Sequence, residues 1–439
     1  MSTGQLGSRI VAELTDLQLG IWEARHSLFA HYALYGAVLV ALGLVAAPLA
    51  RRAREWVVVA LGVASVMLLG SFTVGLAALV YSLCLWSTVE YVPGRGGTAL
   101  AGLLVVALAA YPTLLPGDVF AGNTSHMREF WSFATNVWWL RCIAYVVDRR
   151  SRGTPRRTLR EFLLATLFFP TFINGPIETT EQLDAHRRRG PAVDSWAELR
   201  DWLRLLVRSA GRFFWGSAKV LIGVFYLAQE NETIFATGGL GVSHPRLWLW
   251  IVELYFTFYI VFSGWTDVAL AFARPLGFDV MENFDRPWRS RSVAEFWRRW
   301  HVSFGLWLRN YVYVPLGGNR RHAELNVLLT FLASGLWHVW GALKVLGIEA
   351  YPPSAWIGFV VWGLMNGVAV IAGRWWANAR ALAPMRDGLA TTLPSALRLR
   401  AAQGMAFAFV ALAWVPFFLP PWVDVSQCWR ILLRVLFVT

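Results

Sequence analysis

The residue best suited to chemistry is His338, set deep in an apolar run that ends Ala333-Ser-Gly-Leu-Trp-His338-Val-Trp-Gly341. Imidazole takes up and returns a proton near neutral pH, so a histidine there can act as general base toward a hydroxyl. A histidine satisfied by a helix–helix hydrogen bond fits the same position. Asn326, Thr330, Ser334 and His338 recur every four residues and form one polar row on an otherwise apolar helix. Such a row avoids lipid and faces protein or a water-filled cavity. Ser334, one turn before His338, is placed to orient the ring, and Trp337 adjoins it. His301 supplies a second imidazole, for substrate orientation, proton handling or support. Arg298, Arg299, Arg309, Arg320 and Arg321 match phosphate geometry, and they serve equally well as topology signals and headgroup contacts. Asp267 lies within an apolar span, where a carboxylate must be paired or line a wet site. Pairing with one of those arginines would satisfy it.

The elements that position these residues are legible around them. Ser292 and Glu295 have capping-box spacing, which predicts a helix start. Trp297, His301, Phe304 and Leu308 follow at helical steps and are expected on one face. Pro315, Gly317 and Gly318 then break the helix into a turn, and the next helix begins near Glu324.

Phe296-Trp-Arg-Arg-Trp-His301, Trp307-Leu-Arg-Asn-Tyr311, Pro315-Leu-Gly-Gly-Asn-Arg320 and Leu336-Trp-His338 together resemble the membrane-bound O-acyltransferase family. They look most like its bacterial branch of alginate O-acetylases and relatives. Phe168-Phe-Pro-Thr-Phe-Ile-Asn-Gly-Pro176 and Phe262-Ser-Gly-Trp-Thr-Asp-Val-Ala-Leu-Ala271 extend the likeness, which covers about residues 130–367. The resemblance implies transfer of a short acyl group, acetyl first, from a thioester such as acetyl-CoA to a hydroxyl. His338 is then the catalytic histidine, with an active-site role for His301. Ser334, Asn310, Arg298, Arg309, Trp337 and Asp267 are candidates for contact with donor or acceptor. Three departures bear on the acceptor more than on the reaction. Asn310 stands where alginate-type relatives carry Asp, Val339 follows the histidine where they carry Gly, and Leu419 ends a Trp414-Val-Pro-Phe-Phe418 pattern that they close with Arg.

Composition sets the class. The chain has 439 residues, 56% hydrophobic and 15% charged, with a net charge of +13. That balance excludes an ordinary soluble domain, and its cations lie between apolar spans rather than in a nucleic-acid-binding block. Membrane-length apolar spans are expected at 32–50, 56–69, 73–91, 99–115, 129–147, 202–227, 245–272, 324–341, 354–373 and 401–419. The expected fold is an all-α polytopic membrane protein of about 10–11 transmembrane helices around a central cavity, forming one domain over 1–439. Arginine clusters between alternate spans place those loops in the cytoplasm, and the resemblance implies that the membrane is a bacterial inner membrane. Phe162 to Ile177 is apolar but flanked by cations on both sides and interrupted by Pro170, Gly175 and Pro176. It is therefore expected to re-enter rather than cross, with Phe169 to Pro176 beside the cavity, and 283–321 to lie in the membrane surface.

Met1 to Leu28 lacks the basic-then-apolar order of a cleaved signal and reads as an amphipathic segment. Cys84, Cys142 and Cys428 form no metal or redox spacing and are expected to be buried thiols. No HExxH, HxxxxD or GxxxxGK[ST] motif occurs, so no metal or bound cofactor is expected. The expected partners are the bilayer, a CoA or carrier-protein donor, and a hydroxyl acceptor. That acceptor is a cell-envelope polysaccharide, a lipid-linked sugar or a small metabolite. A carrier-borne acyl or D-alanyl donor and a transporter or flippase that uses the polar row remain as alternatives, the latter without the expected inverted repeat.

Overall fold

The computed structural model describes residues 51–70, 72–114, 125–172, 175–187, 195–230, 242–346, 353–382, 395–418 and 425–436. The expected span at 32–50 and the N-terminal amphipathic segment lie outside them. The protein is an all-α membrane protein. Three helices among the described residues are long and apolar enough to cross a bilayer: His244–Ala273, Trp356–Asn378 and Leu397–Phe417. The other described spans are also helical, as their apolar runs predict. Residues fall into two compact units, one formed by Met1–Val224 with Val261–Met281 and the other by Phe225–Ile260 with Glu282–Thr439.

The first unit contains α1 (Arg51–Gly70), α2 (Phe72–Tyr91), α3 (Gly94–Leu114), α4 (Ser125–Arg150), α5 (Leu159–Thr166), α6 (Thr180–Ala185), α7 (Trp196–Glu230) and the end of α8 (His244–Ala273). Its core packs Leu85, Tyr145, Phe162, Leu164, Phe168 and Phe278. Among its described residues, the segment read as unable to cross holds the eight-residue α5, opened by a Thr158–Glu161 capping box, and a short 3-10 turn, Phe169–Thr171. Eight helical residues rise about 12 Å, well short of a bilayer core. The buried Arg141 satisfies this irregular backbone. It donates to the carbonyls of Phe168 and Pro176, both at 3.4 Å, and to the Thr171 hydroxyl. One guanidinium thus replaces the intrahelical bonds that the broken segment gives up.

The basic clusters of this unit are paired internally. Glu90 accepts from Tyr145 at 2.6 Å and from both ends of the Arg149 guanidinium at 2.7 Å. Glu55, also buried, meets Arg160 at 2.5 Å and Arg187 at 3.0 Å. Cys142 is buried as expected, whereas Cys84 is exposed; the side chain of Cys428 lies outside the described residues.

The second unit holds the start of α8, then α9 (Val293–Arg299), α10 (Val302–Leu308), α11 (Ala323–Leu346), α12 (Pro353–Leu382), α13 (Ser395–Ala413), α14 (Val415–Phe418) and α15 (Val425–Leu436). α11 and α12 meet through reciprocal glycine notches. A Cβ on Gly335 would fall 2.6 Å from the Phe359 carbonyl, and one on Gly363 2.7 Å from that of Phe331. Both distances are below van der Waals contact, so the two backbones touch there.

That contact makes a sharp prediction. Gly335→Val forces the helices apart and should cost about 1–3 kcal/mol, read as a lower thermal midpoint in detergent. Gly373→Val, where a Cβ meets nothing within 4 Å, should leave the midpoint nearly unchanged. Equal midpoints for both variants would remove the notch as a packing constraint.

Candidate active site

Sequence periodicity runs one helix from Trp297 through Leu308, and the structure breaks it at Trp300 and His301. Trp300 is extended, with φ −105° and ψ 127°, and pairs with Phe284. His301 then takes the left-handed conformation at φ 46°, ψ 55°. The reason is tertiary. The Asp285 N–H donates to the Arg299 carbonyl at 2.9 Å, and Val302 N–H donates to the Asn283 carbonyl at 3.0 Å. Asn283, fully buried, also accepts from the Ser303 hydroxyl at 2.6 Å and the Ser303 N–H at 3.3 Å. A left-handed non-glycine residue costs about 1–2 kcal/mol, which these bonds offset. The expected shared face of Trp297, His301, Phe304 and Leu308 is therefore divided between α9 and α10.

The capping box at α9 is only half formed. The Ser292 side chain accepts from Glu295 N–H at 3.1 Å, as predicted. The Glu295 carboxylate turns instead to the Arg291 N–H at 2.9 Å and to Arg299 at 2.9 Å. Burial raises the carboxyl pKa, but these donors outweigh it and hold Glu295 below the usual carboxylate range. After α10 the chain continues through a π-turn, Arg309–Tyr313, which carries Arg309 and Asn310. Gly317 at φ 113° and Gly318 at φ 55° make the turn expected there.

The polar row of α11 is present and satisfied. The Asn326 amide donates to the carbonyls of Gly318 at 2.9 Å and Arg321 at 2.6 Å, tying the turn to the helix. The Thr330 hydroxyl donates to the Asn326 carbonyl at 2.6 Å. His338 Nδ1 lies 2.7 Å from the Ser334 carbonyl oxygen. Ser334 thus orients the ring, as its position one turn earlier suggests, and does so through its backbone carbonyl. A carbonyl only accepts, so this bond places the proton on Nδ1 and leaves Nε2 with its lone pair.

The ring is held by aromatic side chains. Its centroid lies 4.9 Å from Phe417, 5.6 Å from Trp362, 5.9 Å from Phe359 and 6.1 Å from Phe304. Phe304 also meets His301 at 5.2 Å and Trp337 at 6.2 Å, so it stands between both imidazoles and the candidate tryptophan. Both histidines are half-buried. Burial holds His301 far below its ordinary pKa, at about 3, and the neighbouring His338 acts in the same direction. One unit therefore gathers His338, His301, Ser334 and Trp337, with Arg298 and Arg309 exposed on α9 and the π-turn. A basic nitrogen beside a second neutral imidazole can remove a proton and hold an oxygen nearby.

Asp267 belongs to the other unit and is not paired with any arginine of 286–321. It meets Arg212 at 2.7 Å and Lys219 at 2.6 Å. Gly216 and Gly264 each place a Cβ 2.7 Å from the other's carbonyl, and that close crossing of α7 and α8 brings both cations to the carboxylate. Sequence reading assigned no part to Arg141, Asn283 or Asn366. Their types are ordinary, and their partners are distant in sequence.

Helical spans, two imidazoles in an aromatic surround and a notched helix pair together describe an all-α membrane protein with a histidine pair gathered in one unit. The family model described as MBOAT, membrane-bound O-acyltransferase family, matches residues 156–350. Relatives include a protein named probable alginate O-acetylase AlgI from Pseudomonas aeruginosa, 33% identical over 242 residues, covering 49% of this chain and 44% of that one. A peptidoglycan O-acetyltransferase of Helicobacter pylori is 29% identical over 265 residues, 58% of this chain and 43% of that one. A teichoic acid D-alanyltransferase of Streptococcus thermophilus is 27% identical over 252 residues, 55% of this chain and 56% of that one. The chain spans about half the length of the curated relatives it matches.

The depressed His301 pKa has a thermodynamic consequence. An unfolded histidine binds a proton near pH 6.5 and the folded one near 3, so the folded state binds fewer protons in between. Stability from the neutral ring is complete above about pH 6.5 and is lost as pH falls toward 3. Melting midpoints between pH 7 and 4 should decline more steeply for the natural protein than for His301→Gln. Parallel curves would contradict the neutral, buried state.

Proposed function

We propose that the protein is an O-acyltransferase that moves a short acyl group, acetyl first, from a thioester to a hydroxyl of a cell-envelope polymer, with His338 as general base. The observation that carries this reading is the 2.7 Å bond from His338 Nδ1 to the Ser334 carbonyl, which leaves Nε2 as the basic atom. Nε2 takes the proton of the acceptor hydroxyl as its oxygen adds to the thioester carbonyl. The tetrahedral intermediate collapses with loss of the carbon–sulfur bond. The thiolate takes the proton back from the imidazolium, so ester and free thiol leave and the neutral histidine is restored. No covalent acyl-enzyme is required.

His301 stands close enough to assist as a neutral hydrogen-bonding group toward acceptor or carbonyl oxygen. Arg298 and Arg309, both exposed, suit the phosphates of acetyl-CoA at the cytoplasmic surface of a bacterial inner membrane. The acetyltransferase names of the alginate and peptidoglycan relatives support a polymer acceptor. The teichoic acid D-alanyltransferase relatives favour a second reading, in which the acyl group arrives on a carrier protein.

His338→Ala should insert and fold yet lose transfer by about 10²–10⁴-fold, measured with labelled acetyl-CoA in membranes from a strain making the acceptor polymer. A folded His338→Ala protein with full transfer would overturn the assignment. In the same membranes, label passing only from a charged carrier protein would replace acetyl-CoA as donor.

A further inference from the structure

Asn366 is fully buried on α12, and its amide makes two directed bonds. Its Nδ2 donates to the Trp362 carbonyl one turn earlier at 2.9 Å, and its Oδ1 accepts from the Trp297 indole N–H at 3.0 Å. The amide orientation is forced, because the indole can only donate and the carbonyl can only accept. Trp297 lies on α9, the helix from which the chain departs into left-handed His301. Its ring packs edge-on against Trp362 at 5.4 Å, and Trp362 packs in turn on His338 at 5.6 Å. α12 is itself seated against α11, the helix of His338, through Gly335 and Gly363. Two joints therefore set the separation of the imidazoles: the glycine notches fix α12 to His338, and the Asn366–Trp297 bond fixes α9 to α12.

We infer that Asn366 is a positioning residue for acyl transfer, acting through Trp297 and Trp362 to hold His301 in register with His338. This rests on the O-acyltransferase reading. The Asn366 amide bonds the indole and the backbone carbonyl rather than either imidazole, so its removal shifts a geometry and leaves every reacting group present. Misplacement by about 1 Å lowers turnover by as much as 10²-fold, while the long, exposed side chains of Arg298 and Arg309 can follow a shift of that size and keep hold of the donor phosphates.

The test is a double-mutant cycle on Asn366→Leu, which keeps the size of the side chain, and Trp297→Phe, which removes the indole N–H and keeps an aromatic ring against Trp362. Each single variant should lower kcat at least tenfold at equal folded amount, with the donor KM within twofold. The double variant should be no slower than the worse single one. Losses that multiply in the double variant, or a kcat per folded molecule equal to the natural protein's, would overturn the inference. A second readout does not need transfer. Carbethoxylation rates of His301 and His338, followed by peptide mass spectrometry, should change at least threefold in Asn366→Leu, with exposed His322 as internal standard. If the natural protein transfers no acyl group, the functional reading falls, and these rates still decide the role of Asn366: unchanged rates refute it.

Discussion

An imidazole sunk among aromatic rings is useful as a base only if one nitrogen keeps its lone pair and the other keeps its proton. In this protein a single contact does both: the Ser334 carbonyl, one turn back on the same helix, receives Nδ1 of His338. The carbonyl belongs to the helix that carries the ring, so the orientation needs no second element and survives small movements of neighbouring helices. The surrounding rings then restrict the tilt of the imidazole, each pair contributing about 0.5–1.5 kcal/mol beyond simple burial. Chemistry and packing are thereby assigned to different groups. The backbone fixes the tautomer, and Phe304, Phe359, Trp362 and Phe417 fix the pose.

The two units solve the problem of polar atoms at membrane depth in different ways. In the first, a buried arginine serves the irregular backbone of Phe168 to Pro176, and buried carboxylates neutralise the cations of the neighbouring loops. In the second, three buried asparagines serve as joints: Asn283 across the Trp300 break, Asn326 under the glycine turn, Asn366 between helices. The Asn283 side chain accepts, the Asn326 side chain donates and Asn366 does both, none of them carrying charge. That suits a site where an additional ion would compete for the basic nitrogen or for an anionic donor.

Much of this was legible in the sequence because it depends on local period. The polar row of α11, the turn at Gly317 and Gly318, the helical spans and the failure of Phe162 to Ile177 to form a crossing helix all follow from spacing and from residues with restricted backbones. His338 and His301 were legible as types in context. What was hidden depends on pairing across distance. The extended break at Trp300 arises because Phe284 and Asn283 compete successfully with helix continuation, and nothing in Trp297 to Leu308 announces that competition. The partners of Asp267 were hidden for the same reason: Arg212 and Lys219 reach it only because two glycines let their helices touch. That Ser334 acts through its backbone carbonyl was a choice between two acceptors on one residue that spacing alone does not distinguish.

The capping of α10 by Asn283 carries a consequence for how the protein matures. A seven-residue helix is too short to persist alone, and its first turn is closed by a side chain twenty positions upstream. The left-handed backbone of His301 is therefore held only when the 283–285 segment is docked against Trp300 and Ser303. A nascent or partly inserted chain would hold both histidines without their mutual alignment. The alignment of the two imidazoles is in this way tied to completion of this unit's fold.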